Sequence, residues 1–220
     1  MSEVLAEREG DVLVLTLNRP EKANAMNEAM QAALVEKISS SNSKAILIKA
    51  AGEKIFSAGA DLKEFAELER GVAAKKRREL LKRTLNAILD YPKPLVVAVQ
   101  GKALGAGAMV GLLADELVMA QTAELGLPEI RHGIPTPVGY AIVAARAGMA
   151  VARRMVQDGE SIGVGLADFV FEAQELKNKA LERAKTLCAL PADAYRINKQ
   201  FINAPLKAAL AAAFSEADRA

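Results

Sequence analysis

Two turns built almost entirely from very small residues stand out for the chemistry they permit. The run Ala103-Leu104-Gly105-Ala106-Gly107-Ala108-Met109 follows the apolar stretch Leu95-Val96-Val97-Ala98-Val99. Phe56-Ser57-Ala58-Gly59-Ala60-Asp61 follows the strand-like Ala45-Ile46-Leu47-Ile48. A buried strand running into a turn without bulky side chains lets backbone N–H groups approach a ligand closely. Two such turns can aim two N–H donors at one oxygen. An ester or thioester carbonyl gains negative charge when the adjacent carbon loses a proton, or when its β-carbon takes a nucleophile. Two preorganised donors in a dry site stabilise that enolate. One acid, Glu129 in Leu127-Pro128-Glu129-Ile130, is placed to act on the held group.

The glycine spacing also admits a dinucleotide loop, Gly105-x-Gly107-x-x-x-Gly111 after a strand. Its third glycine is one position off the usual fingerprint, and no acidic residue closes a following strand ~20 residues on. The second glycine-bearing turn favours the paired-donor reading instead.

The bulk composition fits that chemistry. A chain of 220 residues, 51% hydrophobic and 25% charged, suits one domain or one core with appendages. Its 29 basic and 27 acidic residues leave a formal charge of +2, which argues against a nucleic-acid partner. The densest basic run, Lys75-Lys76-Arg77-Arg78, reads as the solvated face of a helix whose apolar positions include Leu80, Leu81, Leu85, Ile88 and Leu89. Cys188 has no partner for a disulfide and reads as a small half-buried hydrophobe in a reducing compartment. The start, Met1-Ser2-Glu3-Val4, lacks the basic and apolar regions of a signal peptide. No apolar stretch reaches the ~18 residues of a membrane span. A cytoplasmic protein with no membrane partner is expected.

The elements that must position these turns follow from periodicity. Val4 to Leu17 reads as two short strands turning at Glu9-Gly10-Asp11. Asn27 can cap a helix with Met30, Ala33, Leu34 and Ile38 on one face. A buried strand is expected at Ala45–Lys49, then a helical region up to Asp90 broken near Gly71. Strands follow at Leu95–Val99 and Glu116–Ala120, with a short helix between them ending around Ala114. Strands alternating with helices imply an α/β fold with a mainly parallel sheet system. From Ala150 onward helices dominate: Ala150–Gln157, Glu175–Ala189, Ala192–Asn203 and Ala208–Asp218, with a strand candidate at Phe169–Glu172.

At this point the residues resemble a known family. The segment Phe56 to Phe65, together with Leu17-Asn18-Arg19-Pro20, Asn24-Ala25-Met26-Asn27, the strand Lys93–Val99 with its glycine loop, and Leu127-Pro128-Glu129-Ile130, is similar to the crotonase (enoyl-CoA hydratase and isomerase) superfamily. These motifs occur in the family's order over roughly residues 10 to 170. The resemblance implies a crotonase-like spiral of ββα units over residues 1–170, and a helical C-terminal region, 171–220, used in trimer contacts. It implies an acyl-CoA substrate, a homotrimer or dimer of trimers, and no metal or cofactor beyond the coenzyme A of the substrate. By position, the N–H groups of Ala58 and Ala106 would form the oxyanion hole, with Gly105 kept small so that the oxygen can enter. Ala25 and Met26 would pass near the adenine, and Ala60, Asp61 and Leu62 would line the acyl-CoA path. The helix opening at the glycine loop would turn its positive end toward the thioester oxygen.

Departures from the family pattern bear on the reaction. Hydratases of this family carry two glutamates, one in the helix after the glycine loop and one in the Pro-Glu segment. Glu129 matches the second, whereas Met109 stands at the first and cannot move a proton. Adding water benefits from two acids, while moving a proton from C2 to C4 of an enoyl thioester needs one base that takes and returns it. The expectation is therefore 3,2-enoyl-CoA isomerisation, with Glu129 carrying a pKa raised by burial. Hydration by Glu129 alone, decarboxylation of an acyl thioester on CoA or a carrier protein, and a non-catalytic acyl-CoA binder are the alternatives. Met109 is read as core or pocket wall and His132 as a candidate pocket residue, while the Tyr140 hydroxyl has no motif that places it near the substrate. Ala106 replaces the family's usual glycine, which keeps the N–H but adds a methyl. The chain stops near Ala220, before the segment that commonly helps enclose CoA, so closure is expected from another subunit or from residues beyond this sequence.

Overall fold

In the computed structural model, which describes residues 2–218, the first two runs pair as an antiparallel hairpin. Its strands are β1 (Val4–Glu9) and β2 (Val12–Leu17). Helix α1 (Glu28–Ser39) follows, and the Asn27 side chain caps it by accepting the Met30 N–H at 2.9 Å. Next come β3 (Ala45–Ala50), β4 (Ile55–Ser57) and the long helix α2 (Arg70–Asp90). The pattern then repeats with β5 (Leu95–Val99), β6 (Lys102–Leu104) and α3 (Ala106–Leu112). It repeats again with β7 (Glu116–Ala120), β8 (Glu124–Gly126) and α4 (Pro137–Ala147), a single 3-10 turn, Pro128–His132, intervening. The remainder is α5 (Met149–Gln157), β9 (Ser161–Ile162), β10 (Phe169–Phe171), α6 (Leu176–Cys188) and α7 (Ala192–Ala217).

Each repeat sends its long strand to one sheet and its short strand to another. The larger sheet has the order β1-β2-β3-β5-β7-β10 and is parallel apart from β1. The smaller has the order β4-β6-β8-β9, with β4, β6 and β8 parallel. Strands β3, β5 and β7 are buried along nearly their whole length, which accounts for their unbroken apolar sequences. Helix α6 packs on β2, β3, β5 and β7 through the fully buried Ala180 and Ala184. Helix α7 lies on α2 and α4.

Several sequence expectations are corrected here. The stretch after Asp61 is a series of turns, and α2 starts at Arg70 with Gly71 in its first turn instead of at a break. The two C-terminal helices expected on either side of residues 204–207 form the single helix α7, with Pro205 inside it. Proline in a helix removes the N–H that would serve the carbonyl four residues earlier. That residue is Phe201, 82% exposed, so water can take its carbonyl and the helix continues. Helix α4 lies in a segment to which the sequence pattern assigned no element, and Pro137 starts it. Among the described residues, no helix is long and apolar enough to cross a membrane.

Candidate active site

The smaller sheet explains how segments far apart in the chain meet. Ser57 of β4 pairs with Ala103 of β6, and Leu104 of β6 pairs with Gly126 of β8. Three parallel neighbours thus release the two small-residue turns and the Pro-Glu segment from the same end of one sheet.

The first turn is held by buried polar groups. The Ser57 hydroxyl donates to the Asn24 carbonyl at 2.8 Å and accepts the Gly59 N–H at 3.1 Å. Asn24, itself buried, donates through its side chain to the carbonyls of Ala51 and Ile55 and accepts the Arg19 N–H. Arg19 reaches the Ala25 carbonyl at 2.6 Å and the Asp61 carboxylate at 3.0 Å. Met26 and Ala60 bridge as in a parallel ladder: the Met26 N–H donates to the Gly59 carbonyl at 2.7 Å, and its carbonyl accepts the Asp61 N–H at 3.2 Å. That bridge directs the Ala60 N–H to the opposite side. Each polar partner is satisfied within the fold, so the turn is rigid.

Close backbone approach then brings the two turns together. Gly59 has φ +90°, and a Cβ there would stand 2.8 Å from the Leu104 carbonyl oxygen and 3.4 Å from the Ala106 nitrogen. Gly105 has φ +51°, and a Cβ there would meet Glu129 Oε1 at 2.9 Å and the Gly59 Cα at 3.8 Å. Gly107 is pressed against Ser57, where a Cβ would lie 2.6 Å from the serine Cβ. One small region therefore holds Gly59, the Ala106 N–H and the Glu129 carboxylate.

Glu129 sits in the 3-10 turn Pro128–His132. Its Oε2 is shielded and has no hydrogen-bond partner among the described residues. Burial pushes its pKa above the ordinary glutamate value of 4.5, partly offset by a hydrogen bond from its own N–H. A shielded carboxylate oxygen without a partner, close to backbone N–H groups that have none either, is a candidate for proton exchange with a bound molecule.

The other expected site residues divide clearly. The Ala58 N–H, expected in the oxyanion hole, already donates to the Ala23 carbonyl at 2.9 Å, and Ala58 is exposed. The N–H groups of Ala60 and Ala106 have no acceptor among the described residues. The Ala58 N–H is therefore spent within the fold, against the expectation, while that of Ala60 in the same turn stays open. Ala25 and Met26 flank the first turn, with Met26 buried, while the Asp61 side chain is committed to Arg19 and Leu62 projects outward at 45% exposure. Met109 is buried one turn along α3 from Gly105, and its Cε lies against Gly139 of α4. His132 is exposed at the end of its 3-10 turn, away from the buried cluster. Ser57 and Asn24, which set the first turn, were not singled out as functional from sequence. Their signal was a serine two residues before Gly59 and an asparagine within the quoted Asn24–Asn27 motif.

Comparison with known proteins agrees with this geometry. Residues 7–219 match the family described as enoyl-CoA hydratase/isomerase. The chain is 34% identical to the 2,3-dehydroadipyl-CoA hydratase of Escherichia coli, over 98% of this chain and 88% of that one. It is 31% identical to the short-chain-enoyl-CoA hydratase of Clostridium acetobutylicum, over 92% and 82% of the two chains. A solved enoyl-CoA hydratase from Bacillus anthracis superposes with a TM-score of 0.86 at 26% identity, covering 99% of this chain and 90% of that one. With converging small-residue turns, a half-buried glutamate against one of them and a family match along nearly its whole length, the chain belongs to the crotonase superfamily of enoyl-CoA hydratases and isomerases.

Proposed function

We propose that the chain moves the double bond of an enoyl-CoA thioester from C3–C4 to C2–C3, with Glu129 as the single proton carrier. The observation that carries this reading is the Glu129 carboxylate set against Gly105 with its Oε2 unpartnered, combined with Met109 one helical turn beyond Gly105. The Glu129 carboxylate takes a proton from C2, which leaves a dienolate with its charge on the thioester oxygen. The N–H groups of Ala60 and Ala106 donate to that oxygen. Glu129 then returns the proton to C4, which places the double bond at C2–C3 and regenerates the carboxylate. Methionine at position 109 offers no second proton carrier, so water addition gains no paired acid. Ala25, Met26, Asp61 and Leu62 border the path for the CoA portion. Ile197, Phe201 and Ile202, exposed along α7, support the trimeric assembly implied by the family.

Hydration is the second reading, and the names of the Escherichia coli and Clostridium relatives favour it. Purified protein offered 3-enoyl-CoA, 2-enoyl-CoA and methylmalonyl-CoA separately distinguishes the readings. Isomerisation predicts conversion of the 3-enoyl thioester, little 3-hydroxyacyl product, and loss of turnover in Glu129→Gln. Rapid hydration of the 2-enoyl thioester supports the second reading. Decarboxylation that survives Glu129→Gln contradicts both.

A further inference from the structure

A cavity of about 470 Å³ lies beside the 3-10 turn that carries Glu129, walled by Ile130, Ile134, Pro135 and Val156. It is tied to the catalytic segment at two points. The Ile134 N–H donates to the Glu129 carbonyl at 3.1 Å. The methyl of Thr136, which also lines the cavity, and Met109 Cε both lie against Gly139, where a Cβ would stand 2.5 Å from the former and 3.1 Å from the latter. The cavity therefore borders the turn that carries Glu129, and its apolar walls suit methylene groups.

The lining carries a cation as well. Arg153 of α5, an exposed residue, borders the cavity together with Tyr140 and Gln157. The neighbouring cations are engaged: Arg154 donates to Glu160 at 2.7 Å, and Arg131 donates to the Gly159 carbonyl at 2.9 Å. Arg153 has no ion-pair or hydrogen-bond partner among the described residues, and neither does the Tyr140 hydroxyl. An apolar cavity with a guanidinium and a tyrosine in its lining matches a chain of methylenes with an anionic terminus, because a guanidinium binds a carboxylate through two parallel hydrogen bonds. A plain alkyl chain would leave those donors unused.

We infer that the cavity selects acyl thioesters bearing a terminal carboxylate, with Arg153 as the residue that recognises it. This rests on the acyl-CoA reading above, since it places the thioester at Glu129, but it is independent of whether the chemistry is isomerisation or hydration. The phosphates of CoA are a second source of negative charge. The apolar walls favour the acyl terminus over them.

Binding of saturated, unreactive ligands tests the inference without reference to turnover. Calorimetry compares succinyl-, adipyl- and suberyl-CoA with butyryl-, hexanoyl- and octanoyl-CoA, matched in carbon number, on the whole protein. At the best-fitting length the carboxylated ligand should bind about tenfold tighter or more. In Arg153→Gln that preference should fall to near one, with the affinity for the neutral ligand retained. Arg153→Lys should keep part of it, as a single cation without the paired donors. Equal affinities at every length, or a preference untouched by Arg153→Gln, would overturn the inference. An equal loss on all ligands and on free CoA would also overturn it, by assigning Arg153 to the CoA phosphates. Failure of every acyl-CoA to bind would instead defeat the acyl-CoA reading on which it rests.

Discussion

The Glu129 carboxylate lies directly against the backbone of Gly105, so close that a methyl group on Gly105 would stand 2.9 Å from Oε1. Gly105 also holds φ +51°, a conformation that residues with a side chain rarely adopt. Gly105→Ala should therefore displace the carboxylate and shift the Ala106 donor beside it. A loss of about 10²-fold in kcat is expected for a displacement of this kind, with a stability loss of roughly 1–3 kcal/mol from the strained backbone. Steady-state kinetics combined with urea denaturation checks both.

The buried state of Glu129 makes the pH dependence of stability a second test. Its folded-state pKa lies above the ordinary value of 4.5, so the folded protein holds this proton more tightly than the unfolded chain does. Stability contributed by this group is full below the unfolded pKa and is lost as pH rises through the folded pKa. Glu129→Gln removes that loss. The variant should match the wild type in acid and be the more stable protein above the raised pKa, although it is inactive. Denaturation midpoints measured from acid to mildly alkaline pH would show the two curves diverging upward. The wild-type rate should rise with pH through the same window, since the base must be ionised to take the C2 proton.

Ser57 is buried and bridges the Asn24 carbonyl and the Gly59 N–H, contacts of 2.8 and 3.1 Å. Ser57→Ala leaves a buried carbonyl and a buried N–H without this partner. A destabilisation of about 1–3 kcal/mol is expected. Because the turn also carries the Ala60 donor, kcat should fall more than KM rises. Thermal denaturation and the kinetic split measure the two effects separately.

Far from this site, Lys199 of α7 is buried and donates to the Asp115 carboxylate at 2.6 Å and to the Lys93 carbonyl at 2.9 Å. Asp115 also accepts the Leu95 N–H at 2.7 Å, so the pair fastens the C-terminal helix to the entry of β5. Removing one member of a buried pair leaves the other charge uncompensated. Lys199→Ala should destabilise by about 3–5 kcal/mol. Lys199→Ala with Asp115→Asn should recover part of that. Activity per folded molecule should be unchanged, which equilibrium denaturation with matched assays would establish.

How far the sequence revealed this arrangement depended on length and on locality. The long strands were legible because buried parallel strands need unbroken apolar runs, as at Ala45–Ala50 and Leu95–Val99. The strands of the smaller sheet are two or three residues long, too short for any periodicity, so the sheet that gathers the site was not visible. Glu129 and the glycine turns were legible as residue types. The choice between Ala58 and Ala60 was not, because it is decided by the Ala23 carbonyl and the Met26 bridge, more than thirty positions away along the chain. The cavity beside Arg153 was hidden for the same reason: α4, α5 and the Glu129 turn meet only in three dimensions.

The central claim is that one carboxylate carries one proton from C2 to C4, and label transfer tests it most directly. A 3-enoyl-CoA deuterated at C2 is turned over once in ordinary water, and the product is analysed by mass spectrometry for deuterium at C4. Transfer by Glu129 predicts 2-enoyl-CoA with part of the C2 deuterium at C4, and no product from Glu129→Gln. Product whose C4 hydrogen comes wholly from solvent, formed at an undiminished rate by Glu129→Gln, would contradict the account.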